Sequence, residues 1–228
     1  VGMSSIDNAS VGITKQLTLC PRLDTTRGFI VPPKSDKDVM DIPSASLLTP
    51  EESLLPYINK DDPKRVGFAS GQSKHVVPAN DFTLPVLGTG FEQTIINKTS
   101  DDFGFKAKQD GVVKLVDETN KMIILAYKDG SFERVPYGDM YNRNSDFFLS
   151  NNLDCNVKKG QPIKRGDVIT YNRDFYKKHL GKLFFTQGVI CKIAVLDGEL
   201  TEDDSSMISQ EIGNKFIMGV KKRKSLVL

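Results

Sequence analysis

Val157–Thr170 reads VKKGQPIKRGDVIT, and this stretch decides the architecture. Gly160 and Gly166 each sit next to a strand-like pair, Pro162-Ile163 and Val168-Ile169. Glycine amid polar residues supplies a tight turn, and β-branched residues after it extend. Outward from there, Val112–Val116 and Met122–Tyr127 are β-rich runs joined by Asp117–Asn120, and Lys128–Ser131 makes the next turn. Residues 103–170 are therefore predicted to be strands. Beyond a basic linker, Gly188–Leu196 (GVICKIAVL) is predicted to be a buried strand that delivers an acidic loop, Asp197–Asp204, to one end of a sheet or barrel.

Residues 1–56 have a different texture. Prolines recur (Pro21, Pro32, Pro33, Pro43, Pro50, Pro56) and helical signals are poor, with one short strand expected at Arg27–Val31. Thr49-Pro50-Glu51-Glu52 is a helix start: threonine as N-cap, proline at the first helical position, acids in the first turn. A second short helix is expected over Pro63–Ser73, weakened by Gly67 and Gly71. So much irregular chain suits a piece packed inside an assembly.

The 228 residues, 39% hydrophobic and 26% charged, are enough for a core and argue against disorder throughout. The net charge of +2 is unremarkable, but it is unevenly spread. Eight basic residues (Lys158, Lys159, Lys164, Arg165, Arg173, Lys177, Lys178, Lys182) face only Asp167 and Asp174 between 157 and 182. Six acids and no base lie between 197 and 211, and Lys221–Lys224 is another basic run. Such runs are ordinarily solvated faces; phosphate contact is the functional alternative. Cys20, Cys155 and Cys191 are far apart and only His75 and His179 could join them, which excludes a sequence-local zinc site and fits a reducing compartment. No apolar run approaches the ~20 residues of a membrane span, and no secretory signal opens the chain. The expected location is cytoplasmic, and the start at Val1 points to a fragment or a processed terminus.

Chemistry concentrates in Asp61–Glu92, DDPKRVGFASGQSKHVVPANDFTLPVLGTGFE. Lys64, Arg65, Lys74 and His75 stand among small residues (Gly67, Ala69, Ser70, Gly71, Ser73), and Gly88-Thr89-Gly90 closes the run. Small residues let a backbone approach a ligand, and the cations would attract something anionic. The same features suit a solvated polar helix followed by an ordinary turn.

The order of these residues resembles the second-largest (beta) subunit of cellular multisubunit RNA polymerases. Asp61-Asp62, Arg65, Lys74, Val77-Pro78, Pro85 and Gly88-Thr89-Gly90-Phe91-Glu92 follow the family's acidic pair, arginine, basic residue, Val-Pro step and Gly-Thr-Gly-hydrophobe-Glu run. Asp110–Val113 with Val116-Asp117 is similar to its Gly-Gly-Val-Val hairpin. Tyr141-Asn142, Ser150-Asn151 and Cys155 are similar to its Tyr-Asn, Ser-Asn-Gln and Cys stretch. Arg165–Val168 matches an Arg-Gly-Asp-Val turn, Asp7–Ile13 a Glu-Gly-Pro-Asn-Ile-Gly-Leu block, and Glu202–Ser205 with Ile208-Ser209 a Glu-Asp-Ser and Ile-Ser block. Their collinearity carries the resemblance.

The resemblance implies a mainly β, loop-rich chain with α+β character. A fork-type active-centre segment with short helices would occupy 1–98 and a barrel-sandwich hybrid 99–180. The first strands of a double-psi β-barrel would occupy 181–228, ending before the flap. The two-turn pattern of residues 157–170 is itself that of a barrel-sandwich hybrid. The implied function is one wall of the active centre of a DNA-directed RNA polymerase, a nucleotidyltransferase working only as a multi-chain assembly. Expected partners are a beta-prime-type chain, the remaining beta-type portions, DNA template, RNA and nucleoside triphosphates, with no membrane. The divergence resembles split subunits of giant-bacteriophage polymerases, which would place the chain in host cytoplasm or virion. No Asp-x-Asp-x-Asp triad is present (Asp101-Asp102-Phe103-Gly104 has the wrong spacing), so the principal Mg2+ ligands are expected on another subunit.

By the same resemblance, Arg65 contacts the incoming triphosphate, its plain alternative being a salt bridge to Asp61 or Asp62. Lys74 and His75 line the RNA 3′ region. Asp7 faces downstream DNA or closes an Asx-turn. Asp203 and Asp204, or Glu202 and Asp203 if one gap is allowed, bind the second, nucleotide-borne Mg2+ indirectly; the plain alternative is a solvated loop. Two rival functions stand beside this one. A biotinyl- or lipoyl-carrier domain would need an exposed hairpin lysine, for which Lys121-Met122 is the nearest candidate. The other rival is a phage structural or scaffold protein.

Overall fold

In the computed structural model, the described residues are 9, 13, 16–19, 21–24, 27–32, 34–40, 43–75, 79–141, 150–196 and 206–217. The chain divides into two compact units, residues 1–76 with 86–92 and residues 77–85 with 93–228.

The first unit is built of turns and short helices. Leu23 and Ile30 form a β-bridge across a turn, with Val31 N–H donating to Arg22 O (2.9 Å), where the short strand was expected. Helix α1 spans Asp36–Met40 and α2 spans Pro63–Ser73. Between them runs a 3-10 turn, Glu52–Leu54, whose start is a reciprocal capping box. Thr49 N–H donates to Glu52 Oε2 (2.7 Å) and Glu52 N–H donates to Thr49 Oγ1 (3.3 Å). α2 packs on this turn. Val66 and Ser70, one helical turn apart, are its buried positions, and Pro63 occupies the first turn, where no N–H is needed.

The second unit is antiparallel β. Strands β1 (Gly111–Asp117), β2 (Met122–Tyr127), β3 (Phe132–Pro136) and β6 (Pro162–Ile163) form one sheet in the order β3-β2-β1-β6. Strands β4 (Gly138–Tyr141), β5 (Ser150–Cys155) and β7 (Thr170–Asn172) form a second sheet in the order β4-β5-β7. β8 (Tyr176–His179) and β9 (Lys182–Phe185) make a hairpin, and α3 (Gln210–Gly213) is capped by Ser209 Oγ accepting from Ile212 N–H (3.3 Å). The core joins Val113 of β1, Ile123, Leu125 and Tyr127 of β2, Val135 of β3, and Ala107, Val157, Ile163 and Ile169 from the connections and β6. Gly111 is required by close approach: a Cβ there would lie 2.3 Å from Ala126 O.

The two glycine turns share one construction. Lys158 N–H donates to Gln161 Oε1 (3.0 Å) and Lys164 N–H to Asp167 Oδ2 (2.8 Å), so in each the fourth side chain closes the first backbone group. Gly160 and Gly166 supply the positive φ, 81° and 91°.

One expectation fails. Residues 186–196 form no strand, and from Ile190 to Leu196 they are exposed, Val195 to 97%. Thr83 anchors only the start of the segment, donating N–H to Gly188 O (2.8 Å) and accepting Ile190 N–H at Oγ1 (2.9 Å). An apolar, β-rich run becomes a buried strand only where another strand takes up its backbone groups. Among the described residues none does. No sheet among the described residues closes into a barrel.

Candidate functional site

Of the residues assigned to the site from sequence, Arg65, Lys74 and His75 are described. Asp7, Glu202, Asp203 and Asp204 lie outside the described residues. α2 packs on the Glu52 turn and buries only Val66 and Ser70. Lys64, Arg65, Phe68 and Gln72 remain outside. No ion pair among the described residues joins Arg65 to Asp61 or Asp62; Asp61 Oδ1 instead accepts Asp62 N–H (2.8 Å). The guanidinium is therefore not committed to the salt bridge that would have made it merely structural.

Lys74 is the C-cap residue, its N–H donating to Gly71 O (3.2 Å) and its ammonium to Gln16 Oε1. A cation there complements the negative end of the helix dipole. Arg65 and Lys74 are nine residues apart, about 13 Å along the axis and half a turn out of phase. The helix therefore does not bring them to one ligand atom. His75 follows, exposed, its N–H donating to Gln72 O (3.1 Å).

The glycine run beside α2 in sequence does not offer its amides to a ligand. Glu92 is 5% exposed and accepts Thr89 N–H at Oε1 (2.9 Å) and Gly90 N–H at Oε2 (2.8 Å). Thr89 Oγ1 donates to Ser53 O (2.6 Å), tying the run to the capping-box turn. A Cβ at Gly88 would stand 2.9 Å from Glu92 Oε1. The Gly-punctuated turn expected here is present, and the carboxylate that takes its amides is its own. The signal that could have shown this is the acid two residues after Gly90.

Other polar groups of the second unit are likewise committed to the fold. Asp101 pairs with Lys106 (3.3 Å), and Asp102 O accepts from the Asn151 amide. Asn172, buried, bridges Asn151 Oδ1 (2.7 Å) and Asp174 N–H (2.8 Å). In the basic run, Arg173 pairs with Asp139 (2.7 Å) and Lys177 with Asp81 (3.0 Å). Lys121 sits in the β1–β2 turn at φ 51° with its ammonium 5.5 Å from the Tyr137 ring centre, so it lies back on the domain rather than standing out as a carrier lysine would. Tyr127 OH donates to Glu133 Oε2 (2.6 Å), and Lys108 binds the other oxygen. Burial, then the Glu133 bond, pushes the Tyr127 phenol up to about 12. Burial opposes ionisation of Glu133, but Lys108 and Tyr127 hold its carboxyl below the usual range. Among the described residues no three His, Cys, Asp or Glu side chains are placed to hold a metal ion. None of their helices is long and apolar enough to cross a membrane.

No protein-family model matches the chain. Relatives do. The beta subunit of DNA-directed RNA polymerase from Geobacter sulfurreducens is 27% identical over 190 residues, 81% of this chain and 13% of that protein. The chain is similar to RNA polymerase beta subunits. The Geobacter metallireducens beta subunit is 28% identical over the same length, and that of Desulfatibacillum aliphaticivorans 30% identical over 141 residues, 60% of this chain and 10% of that one. The chain thus spans about an eighth of the beta subunits it matches.

Proposed function

We propose that this chain is the central part of a diverged beta-type subunit of a multisubunit DNA-directed RNA polymerase, forming one wall of the active centre. The observation that carries this reading is similarity to beta subunits over 81% of the chain. Arg65 is exposed with no ion-pair partner among the described residues, which is compatible with it. In this reading Arg65 holds the incoming triphosphate by charge-assisted hydrogen bonds, which suit a guanidinium's planar fork. Lys74 and His75, at and just past the C-terminal end of α2, border the RNA 3′ end, so triphosphate and RNA are met near opposite ends of one short helix. Asp203 and Asp204 would hold the nucleotide-borne Mg2+ indirectly, and the ion would supply charge compensation for the triphosphate. The domain scheme of 1–98, 99–180 and 181–228, a double-psi barrel begun by the last of these, and the split-subunit character of giant-phage enzymes belong to the same proposal. So does a cytoplasmic or virion location.

The test is extension by the assembled enzyme at limiting magnesium. Asp204→Ala should slow extension while leaving assembly and DNA binding intact, and the defect should shrink as magnesium or nucleotide rises. Glu202→Ala should be the milder change; the reverse order would move the acid pair to Glu202 and Asp203. Unchanged rates for Glu202→Ala, Asp203→Ala and Asp204→Ala would remove this loop from the active centre.

A further inference from the structure

The four-stranded sheet of the second unit has an outer face that the polymerase reading leaves unused. Register places Phe132 opposite Ala126, Ala126 opposite Val112, and Val112 opposite Pro162, one straight row across β3-β2-β1-β6. The core residues Val113, Leu125 and Val135 alternate with these positions and point the other way. Phe132 is 67% exposed, and Val112 and Leu115 are also open to solvent. An aromatic ring left in water at the first residue of the edge strand β3 is not explained by the core.

Unpaired cations outnumber unpaired acids around this row. Arg134, two residues from Phe132 and so about 6.8 Å along β3, is exposed, as is Lys114 at the β1 bulge. At the far end the row stops at Pro162 of β6, which is flanked by the two glycine turns with Lys158, Lys159, Lys164 and Arg165, all exposed. None of these six cations has an ion-pair partner among the described residues. The nearby acids are engaged: Glu133 turns inward to Tyr127 and Lys108, and Asp129 closes its turn on Ser131. Asp110 accepts from Lys128 and from Arg165 N–H. Asp117 closes the β1–β2 turn on Asn120. The turns carrying the cations are closed by their own Gln161 and Asp167 side chains, so those cations stand on a fixed frame.

We infer that this face binds single-stranded nucleic acid, with a base stacked on Phe132 and the backbone running from Arg134 and Lys114 toward the β6 turns. The row from Phe132 to Pro162 is about 14 Å long, room for a few nucleotides. Stacking needs an unpaired base, and phosphates need the flanking cations. An acidic polypeptide would meet the cations but has no use for a solitary ring.

The experiment is fluorescence anisotropy of the full chain with a fluorescein-labelled twelve-mer of thymidylate. Binding should weaken with salt, with a log–log slope of about −0.7 per phosphate engaged. Phe132→Ala should weaken it about tenfold with no change in salt slope, and Phe132→Tyr should restore it. Lys158→Ala with Lys159→Ala should reduce the slope. Phe132 is exposed, so both variants should melt like the parent. Phe132→Ala within twofold of the parent, or duplex DNA or polyglutamate competing as well as the oligonucleotide, would overturn the inference. Because the assay uses this chain alone, its failure leaves the polymerase reading untouched.

Discussion

Glu92→Gln tests whether the Gly-Thr-Gly run is a self-closed turn. In the structure the buried carboxylate takes two backbone N–H groups, from Thr89 at 2.9 Å and Gly90 at 2.8 Å, one on each oxygen. Glutamine keeps one acceptor and turns an NH2 toward the other donor. One charge-assisted bond is lost, the other becomes neutral, and a part-buried N–H is left facing hydrogen. A hydrogen bond to a charged group is worth about 1.5–3 kcal/mol, so the substitution should cost about 2–3 kcal/mol. For a domain of this size that lowers Tm by about 5–10 °C. Scanning calorimetry reads the total, and amide exchange at Thr89 and Gly90 localises it. Gly88→Ala should act in the same direction, because its Cβ would stand 2.9 Å from an oxygen pinned by those amides. A Tm within roughly 1 °C of the parent, with exchange at both amides unchanged, would refute the reasoning and return the loop's N–H groups to an external anion.

Three further outcomes are expected. In the assembled enzyme Arg65→Ala should raise the KM for nucleotides by about 10–100-fold, the equivalent of one charge-assisted phosphate contact, and should change DNA affinity less; the opposite pattern would assign Arg65 to the template path. Gly71 has nothing within 4 Å of where a Cβ would be, so Gly71→Ala should stabilise the chain by about 0.5–1 kcal/mol in urea unfolding. Tyr127 titrates near 12 when folded and near 10 when unfolded. Its stabilising contribution is therefore complete below pH 10 and is lost as pH rises toward 12; Tyr127→Phe should flatten that alkaline fall, as read by chemical denaturation across the window.

What was legible in the sequence was what local chemistry determines. α2 covers the span Pro63–Ser73 expected for a short helix, and Asp117–Asn120 and Lys128–Ser131 turn the hairpins where their polar residues said they would. Gly160 and Gly166 mark the two turns on either side of β6. What was missed depended on partners that composition and periodicity do not name. Val189–Leu196 has the composition of a buried strand, but composition does not supply a neighbour to bond with. Glycines 88 and 90 advertise an open backbone, but the direction of the Thr89 and Gly90 amides is set by Glu92, and periodicity carries no sign of it. At the candidate site, Arg65 was named by resemblance, not by local chemistry. That Arg65 and Lys74 fall on opposite sides follows from the helical period, once the helix is known to run unbroken between them.

The central claim is that this chain works only as part of a polymerase, and affinity purification from its native source followed by templated RNA synthesis tests it most directly. The account predicts co-purification with a chain bearing an Asp-x-Asp-x-Asp motif, RNA synthesis by that complex, and none by the purified 228-residue chain. Templated synthesis by this chain alone, or an isolated complex with no such partner and no synthesis, would contradict it.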